Sequence, residues 1–191
     1  LVLLCSCGKK QVPEDTTSFK SKYFQRTYLE LGQRITEQSF NTIRMHLVDR
    51  MSTDEISGAV QYCNVNIYPL TDSLNKEFNA KIRRTSLKWR NPKNAPNDDE
   101  KKILEIFEKL HSEGKKVNDS LIKINDTKIW YVKPIYAQGM CQNCHGGVGT
   151  TISEKNYNVI KKLYPEDKAI DYKSGDLRGM WSIKMNIKKV D

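Results

Sequence analysis

Apolar residues between Ser18 and Arg50 recur at helical spacing, at Phe24, Tyr28, Leu31, Ile35, Ile43 and Leu47, with no proline among them. A stripe of that period predicts a long amphipathic helix. Ser52-Thr53-Asp54-Glu55 reads as a capping box, with Ser52 as N-cap and Glu55 three positions on, opening a second helix. Ile56, Ala59, Val60, Cys63 and Ile67 form its inward face, so Cys63 points into the protein. Pro69 is expected to kink or restart this helix before it continues through Leu74 and Phe78.

The pattern then changes period. Ile82–Arg90 alternates like a strand, with Leu87 and Trp89 on one face and Arg84, Ser86, Lys88 and Arg90 on the other. Asn91-Pro92 and Ala95-Pro96 break it. Asn97 and Glu100 make a capping box for a helix through Ile103, Ile106, Phe107 and Leu110, ended by Gly114. Leu121–Ile124 and Lys128–Tyr136, joined at Asn125-Asp126, read as a hairpin. The second of these strands is apolar on both faces, which marks a central strand. A short helix over Ser153–Leu163 stops at Pro165. At the end, Leu177, Gly179, Trp181, Ile183, Met185 and Ile187 alternate with Arg178, Ser182, Lys184 and Lys188 as a half-buried strand. One α+β domain over residues 19–191 accounts for these elements, and 191 residues suffice for a core without disulfide staples.

Between the hairpin and the last helix lies Cys141-Gln142-Asn143-Cys144-His145, followed by two glycines. C-x-x-C-H is the attachment pattern of c-type haem. Two thiols three positions apart can form thioethers to the two vinyl groups of one porphyrin, and the next residue's imidazole can reach the iron. Gly146 and Gly147 would let backbone pass close to the ring. A redox dithiol or half a zinc site shares the C-x-x-C spacing, but no second pair of ligands at matching spacing exists in the chain. For the iron's far side the residues offer Cys63, His46, His111, Met140, Met180 or Met185, besides water or an open position. Met140 is too near the attachment cysteines to cross the ring easily, and Cys63 has the advantage of a rigid inward face. His46 and His111 read as partly exposed histidines near helix ends.

Charge narrows the partners. Thirty-two basic against 23 acidic residues give +9. The basic residues are interleaved with acids in runs of two or three, which argues against a nucleic-acid footprint and for a solvated lysine-rich surface. Such a surface can also dock an acidic redox partner or anionic lipid. Arginines on the alternating stretch, Arg84 and Arg90, suit the two carboxylates a haem carries.

Leu1-Val2-Leu3-Leu4-Cys5-Ser6-Cys7 resembles the end of a bacterial lipoprotein signal, with Leu4 at −3, Ser6 at −1 and Cys7 as the acylated residue. Residues 8–18 then read as a flexible tether. A lipid anchor places the protein on the periplasmic side of a bacterial membrane, the outer membrane being the better expectation. It agrees with the haem motif, since bacterial haem attachment takes place outside the cytoplasmic membrane.

Ala59-Val60-Gln61-Tyr62-Cys63, the block Arg84–Pro92 with Asn94-Ala95-Pro96, the Cys141–Gly146 motif and Gly175-Asp176-Leu177-Arg178-Gly179 together resemble the Tll-type c-haem domain family. The resemblance spans roughly residues 20–187 and implies a PAS-like antiparallel sheet with flanking helices and a long N-terminal helix. It also implies one covalent haem c whose iron is held by His145 and a Cys63 thiolate. On this reading the expected function is a redox or diatomic-gas (NO or CO) sensor with an unknown signalling partner. The alternative is an electron-transfer cytochrome docking an acidic partner. A haem enzyme is the less favoured class, because it needs an open distal site with a base and His46 is the only weak candidate.

Overall fold

The computed structural model describes residues 18–188. The expectations for residues 1–7, including Cys7, and for the tether (Ser18 apart) lie outside these.

Helix α1 (Lys22–Phe78) takes up 57 residues. Ser21 caps it by accepting from the Phe24 N–H, and Asn79, in the left-handed region at φ 48°, ends it with its N–H turned back to Asn75 and Lys76 carbonyls. It consists of two arms. Asp54 and Glu55 leave helical dihedrals, Glu55 at φ 60°, ψ −169°, a region costly for any residue with a Cβ. The arms lie side by side, with the Gln38 amide 2.7 Å from the Glu77 carboxylate. The expected break is therefore real, but Ser52 is not its cap. The Ser52 hydroxyl donates to the Asp49 carbonyl at 2.7 Å and is still part of the first arm. Nor does Pro69 restart the helix, since the dihedrals stay helical around it. Proline frees the carbonyl four residues back, and here both Pro69 and Val65 are exposed, so water can satisfy that group.

Four strands form one antiparallel sheet: β1 (Ala80–Thr85), β2 (Ser120–Asn125), β3 (Lys128–Tyr136) and β4 (Leu177–Asn186), in the order β1-β4-β3-β2. The α+β class, the long N-terminal helix and the central place of the Lys128–Tyr136 strand are as expected. Phe24, Tyr28, Ile35 and Ile43 from one arm of α1, and Ile67 and Leu74 from the other, pack on Ile82, Ile129, Tyr131, Trp181, Ile183 and Met185. Helix α2 (Asp98–Ser112) covers the opposite face through Leu104 and Phe107, against Trp130, Val132 and Met180. Its Asn97–Glu100 capping box is formed in both directions, at 2.9 and 3.1 Å. The Glu100 carboxylate, buried, also receives Arg83 at 3.1 and 3.3 Å.

Two strands differ from their patterns. β1 stops at Thr85, and residues 86–91 turn away as a loop instead of continuing to Arg90. β4 is buried on both faces, because α2 covers Met180 and Ser182 where alternation suggested solvent. Gly179 lets β1 and β4 approach: a Cβ there would overlap the Thr85 carbonyl oxygen. Helix α3 (Gln142–His145) carries the cysteine-histidine motif, and α4 (Glu154–Leu163) packs Ile160, with Tyr164 just beyond its end, against Val60 of the second arm of α1. Among the described residues no helix is long and apolar enough to cross a membrane.

Candidate functional site

The two arms of α1, the loop after β1, the end of β3, α3 and the start of β4 enclose a cleft of about 1550 Å³, its open mouth included. Cys63, Arg84, Arg90, Cys141, Cys144 and His145, drawn from three separate stretches of the chain, all line it. His46 and His111 do not. His46 stacks on Tyr62 and His111 tilts against Tyr136, each at 5.6 Å between centroids. Met180 and Met185 are buried on opposite faces of the sheet, while Met140 lies on the cleft wall.

Backbone geometry explains how the motif is presented. A 3-10 turn at Gly139–Cys141 runs directly into α3. The Cys141 sulfur accepts the Gln138 N–H at 3.3 Å, and Gly146 ends the helix by donating to the Gln142 carbonyl at 2.9 Å. Any Cβ on Gly146 would lie 2.8 Å from that same carbonyl oxygen, so the loop's own backbone already demands glycine there. Residues 167–172 form a strap beneath α3. Tyr172 N–H donates to the His145 carbonyl and Asp171 N–H to the Gly146 carbonyl, both at 2.9 Å. The strap is tied on its other side to the loop after β1, by Lys168 N–H to the Trp89 carbonyl at 3.0 Å and by the Lys88 ammonium to the Ile170 carbonyl at 2.6 Å.

The strap also sets the histidine. His145 Nδ1 lies 2.8 Å from the Ala169 carbonyl oxygen. A carbonyl only accepts, so Nδ1 carries the proton and Nε2 keeps its lone pair. Burial, reinforced by the cations Arg178, Arg90 and Arg84, holds the imidazole well below the usual histidine range, so it is neutral near pH 7. That is the form in which imidazole binds a metal. Arg90 joins the same network. One of its terminal nitrogens donates to the Cys144 carbonyl, to the Asp167 carboxylate at 3.1 Å and to the Ala169 carbonyl at 3.2 Å. The other Asp167 oxygen accepts the Ala169 N–H at 2.8 Å. The buried Nε of Arg90 has no hydrogen-bond partner among the described residues.

Cys63 and Cys144 are half-buried thiols under opposing influences. Burial pushes Cys63 up from its ordinary value while Arg84 and Arg90 pull it down. Burial likewise raises Cys144, to about 11. Cys63, Cys141 and Cys144 are all free thiols. Tyr164 closes the site beside Cys63, its phenol pushed up to about 12 by burial. Among the described residues no three His, Cys, Asp or Glu side chains cluster to hold a bare metal ion. The donors present suit a cofactor that brings most of its own ligands.

Sequence reasoning missed three contributors. Asp167 and Tyr164 belong to a stretch with no periodicity, and nothing in their spacing marked them. Alternation puts Arg178 on the polar side of the last strand with Ser182, yet it lines the cleft. The register of β3 and β4 shifts between Ile135 and Tyr136, which pair with Gly179 and Leu177, so Arg178 is the extra residue of a bulge. A bulge re-aims a side chain and is invisible to alternation.

Comparison with known proteins gives two matches. The Tll0287-like family matches residues 12–186. A solved structure described as that of the cyanobacterial haem protein Tll0287 is similar at a TM-score of 0.60 and 22% identity, covering 85% of this chain and 98% of the other. No curated protein matches.

Proposed function

This chain belongs to the Tll0287-like family, and on that premise we propose that it is a haem protein carrying one haem c. Cys141 and Cys144 would form the thioethers, His145 Nε2 and the Cys63 thiolate would ligate the iron, and the arginines of the cleft, Arg84 and Arg90 among them, would supply the positive charge its carboxylates need. The observation that carries this reading is that a C-x-x-C-H loop, an inward cysteine 78 positions earlier and a neutral imidazole with its Nδ1 already engaged all meet on one cleft. The unpartnered Arg90 Nε fits as well, being a buried donor awaiting an acceptor.

When bound, the haem supplies a one-electron couple and an iron that can take a diatomic ligand once a protein ligand lets go. The protein's part is to decide whether Cys63 lets go. Cys63 is carried by the second arm of α1, joined to the first through Glu55 in its strained conformation. Thiolate is a weaker ligand of ferrous than of ferric iron, so with haem in place Cys63 would be the ligand more readily given up on reduction, and the arm that carries it could then shift. A movement of that arm is the output we propose for a redox or diatomic-gas sensor. The Cys7 lipid anchor and a periplasm-facing location belong to the same proposal and rest on the pattern of residues 1–7.

Absorption and EPR spectra of ferric and ferrous protein, with and without CO, test this. A sensor shows a low-spin thiolate pattern when ferric, lost in Cys63→Ser, and binds CO when ferrous. An electron carrier keeps both ligands in both states and ignores CO. A ferric spectrum unchanged by Cys63→Ser removes Cys63 from the iron.

A further inference from the structure

Among the described residues the cleft is lined by four arginines, Arg44, Arg84, Arg90 and Arg178, and by no carboxylate. Three of these surround His145 closely enough to depress its basicity. Their charges are not equally balanced. Arg90 is paired with Asp167, whose side chain is fully buried, and is bonded to two carbonyls of the motif loop and strap. Arg84 has no carboxylate within ion-pair reach among the described residues, and its guanidinium lies 5.8 Å from the Trp181 ring centre. Arg178 donates to the Lys88 carbonyl at 3.1 Å and lies 5.0 Å from the Tyr172 ring centre, again with no carboxylate partner among the described residues. Both keep some accessible surface inside the cleft, yet surrounding protein pulls each below the ordinary arginine range. Two desolvated, unmatched cations on one wall are costly until an anion joins them.

We propose that Arg84 and Arg178 form the seat for the two carboxylates of one flat, otherwise apolar ligand, and that Arg90 is a positioning residue for the Cys144–His145 backbone. In the haem reading, on which the ligand's identity rests, those carboxylates are the two propionates. The second of them then goes to Arg178, with Arg90 contributing at most its free Nε. The β4 bulge is what makes this seat, because without the extra residue Arg178 would follow Met180 and Ser182 to the α2 side. Guanidinium suits the task through bidentate bonds to a carboxylate, and the apolar remainder of the wall accepts the ring.

The test uses the full chain produced without haem maturation and two probes, metal-free protoporphyrin IX and its dimethyl ester, with quenching of tryptophan fluorescence as readout. Neither probe depends on iron ligation or thioether formation. The free acid is expected to bind at least about tenfold more tightly than the ester, as one charge-assisted carboxylate contact implies. Arg84→Gln and Arg178→Gln each remove most of that difference while leaving the ester's affinity unchanged, and Arg178→Lys restores part of it. Arg90→Gln weakens acid and ester alike. Equal binding of acid and ester, or an acid preference that survives Arg178→Gln, overturns the seat and leaves the haem reading standing. Binding of neither probe by a chain with native circular dichroism overturns both.

Discussion

His145 and Asp167 hold the same residue from opposite ends. The Ala169 carbonyl meets His145 Nδ1, and the Ala169 N–H meets the Asp167 carboxylate, both at 2.8 Å. The carboxylate therefore positions the carbonyl that holds the imidazole through a single residue, Ala169, and Arg90 closes the circuit by touching Asp167, Ala169 and Cys144. Such outer partners orient a ligand and tune its basicity.

Asp167→Asn should keep an acceptor for the Ala169 N–H while removing the charge opposite Arg90. An uncompensated buried guanidinium follows, at a cost of about 3 kcal/mol, measurable by urea unfolding of the haem-free chain. In the loaded protein the site becomes more positive, so the reduction potential rises. Asp171→Asn, on the same strap but exposed, should change neither value.

Arg83 and Glu100 make the equivalent point for the fold. Glu100 is 1% exposed and bonds both Arg83 and the Asn97 N–H. Arg83→Met leaves that carboxylate without its cation and should cost about 2–4 kcal/mol, the lower part of the range reflecting Arg83's partial exposure. Chemical denaturation of Arg83→Met beside Arg83→Lys separates the lost charge from the lost fork.

Gly179→Val places side-chain carbon against the Thr85 carbonyl, in backbone and not in a movable side chain. The two strands must part, so a loss of about 3 kcal/mol or more is expected. Because Arg84 and Arg178 flank this contact, porphyrin binding should fall with stability, whereas Gly114→Ala, with open space around it, should leave porphyrin binding intact.

Tyr131 gives the pH dependence. It is fully buried and its hydroxyl donates to Asp119 at 2.8 Å; burial first, then the carboxylate, raises the phenol far above its usual value. Above the unfolded phenol's value of about 10 the folded state binds the extra proton. Its contribution is therefore complete below about pH 10 and is lost as pH rises beyond it, at about 1.4 kcal/mol per unit. Unfolding free energies at pH 8 and 11 should diverge less in Tyr131→Phe than in the parent.

Much of this was readable along the chain because periodicity and spacing are local. Phe24 to Leu74 announced α1 and its buried stripe, Asn97 and Glu100 announced the start of α2, and the cysteine-histidine spacing announced the site loop. What escaped was decided by contacts distant in sequence. Pro69 stays helical because its face is wet, Ser52 is absorbed into the first arm because the break falls at Glu55, and β1 stops early because its continuation is recruited by the strap at Lys168. Arg178 reached the cleft through a register shift set by pairing with β3. Asp167 gained its place from a loop whose only pattern is the hydrogen bonds it makes with others.

The proposed covalent haem on Cys141 and Cys144 has a direct chemical signature. Intact-mass measurement of the chain from a host competent in c-type maturation tests it directly, with Cys141→Ser/Cys144→Ser beside it. The parent is expected to gain the mass of one haem, resistant to acidic-acetone extraction and absent from the double variant. A parent of unmodified mass, or one whose haem is extracted by acidic acetone, contradicts it.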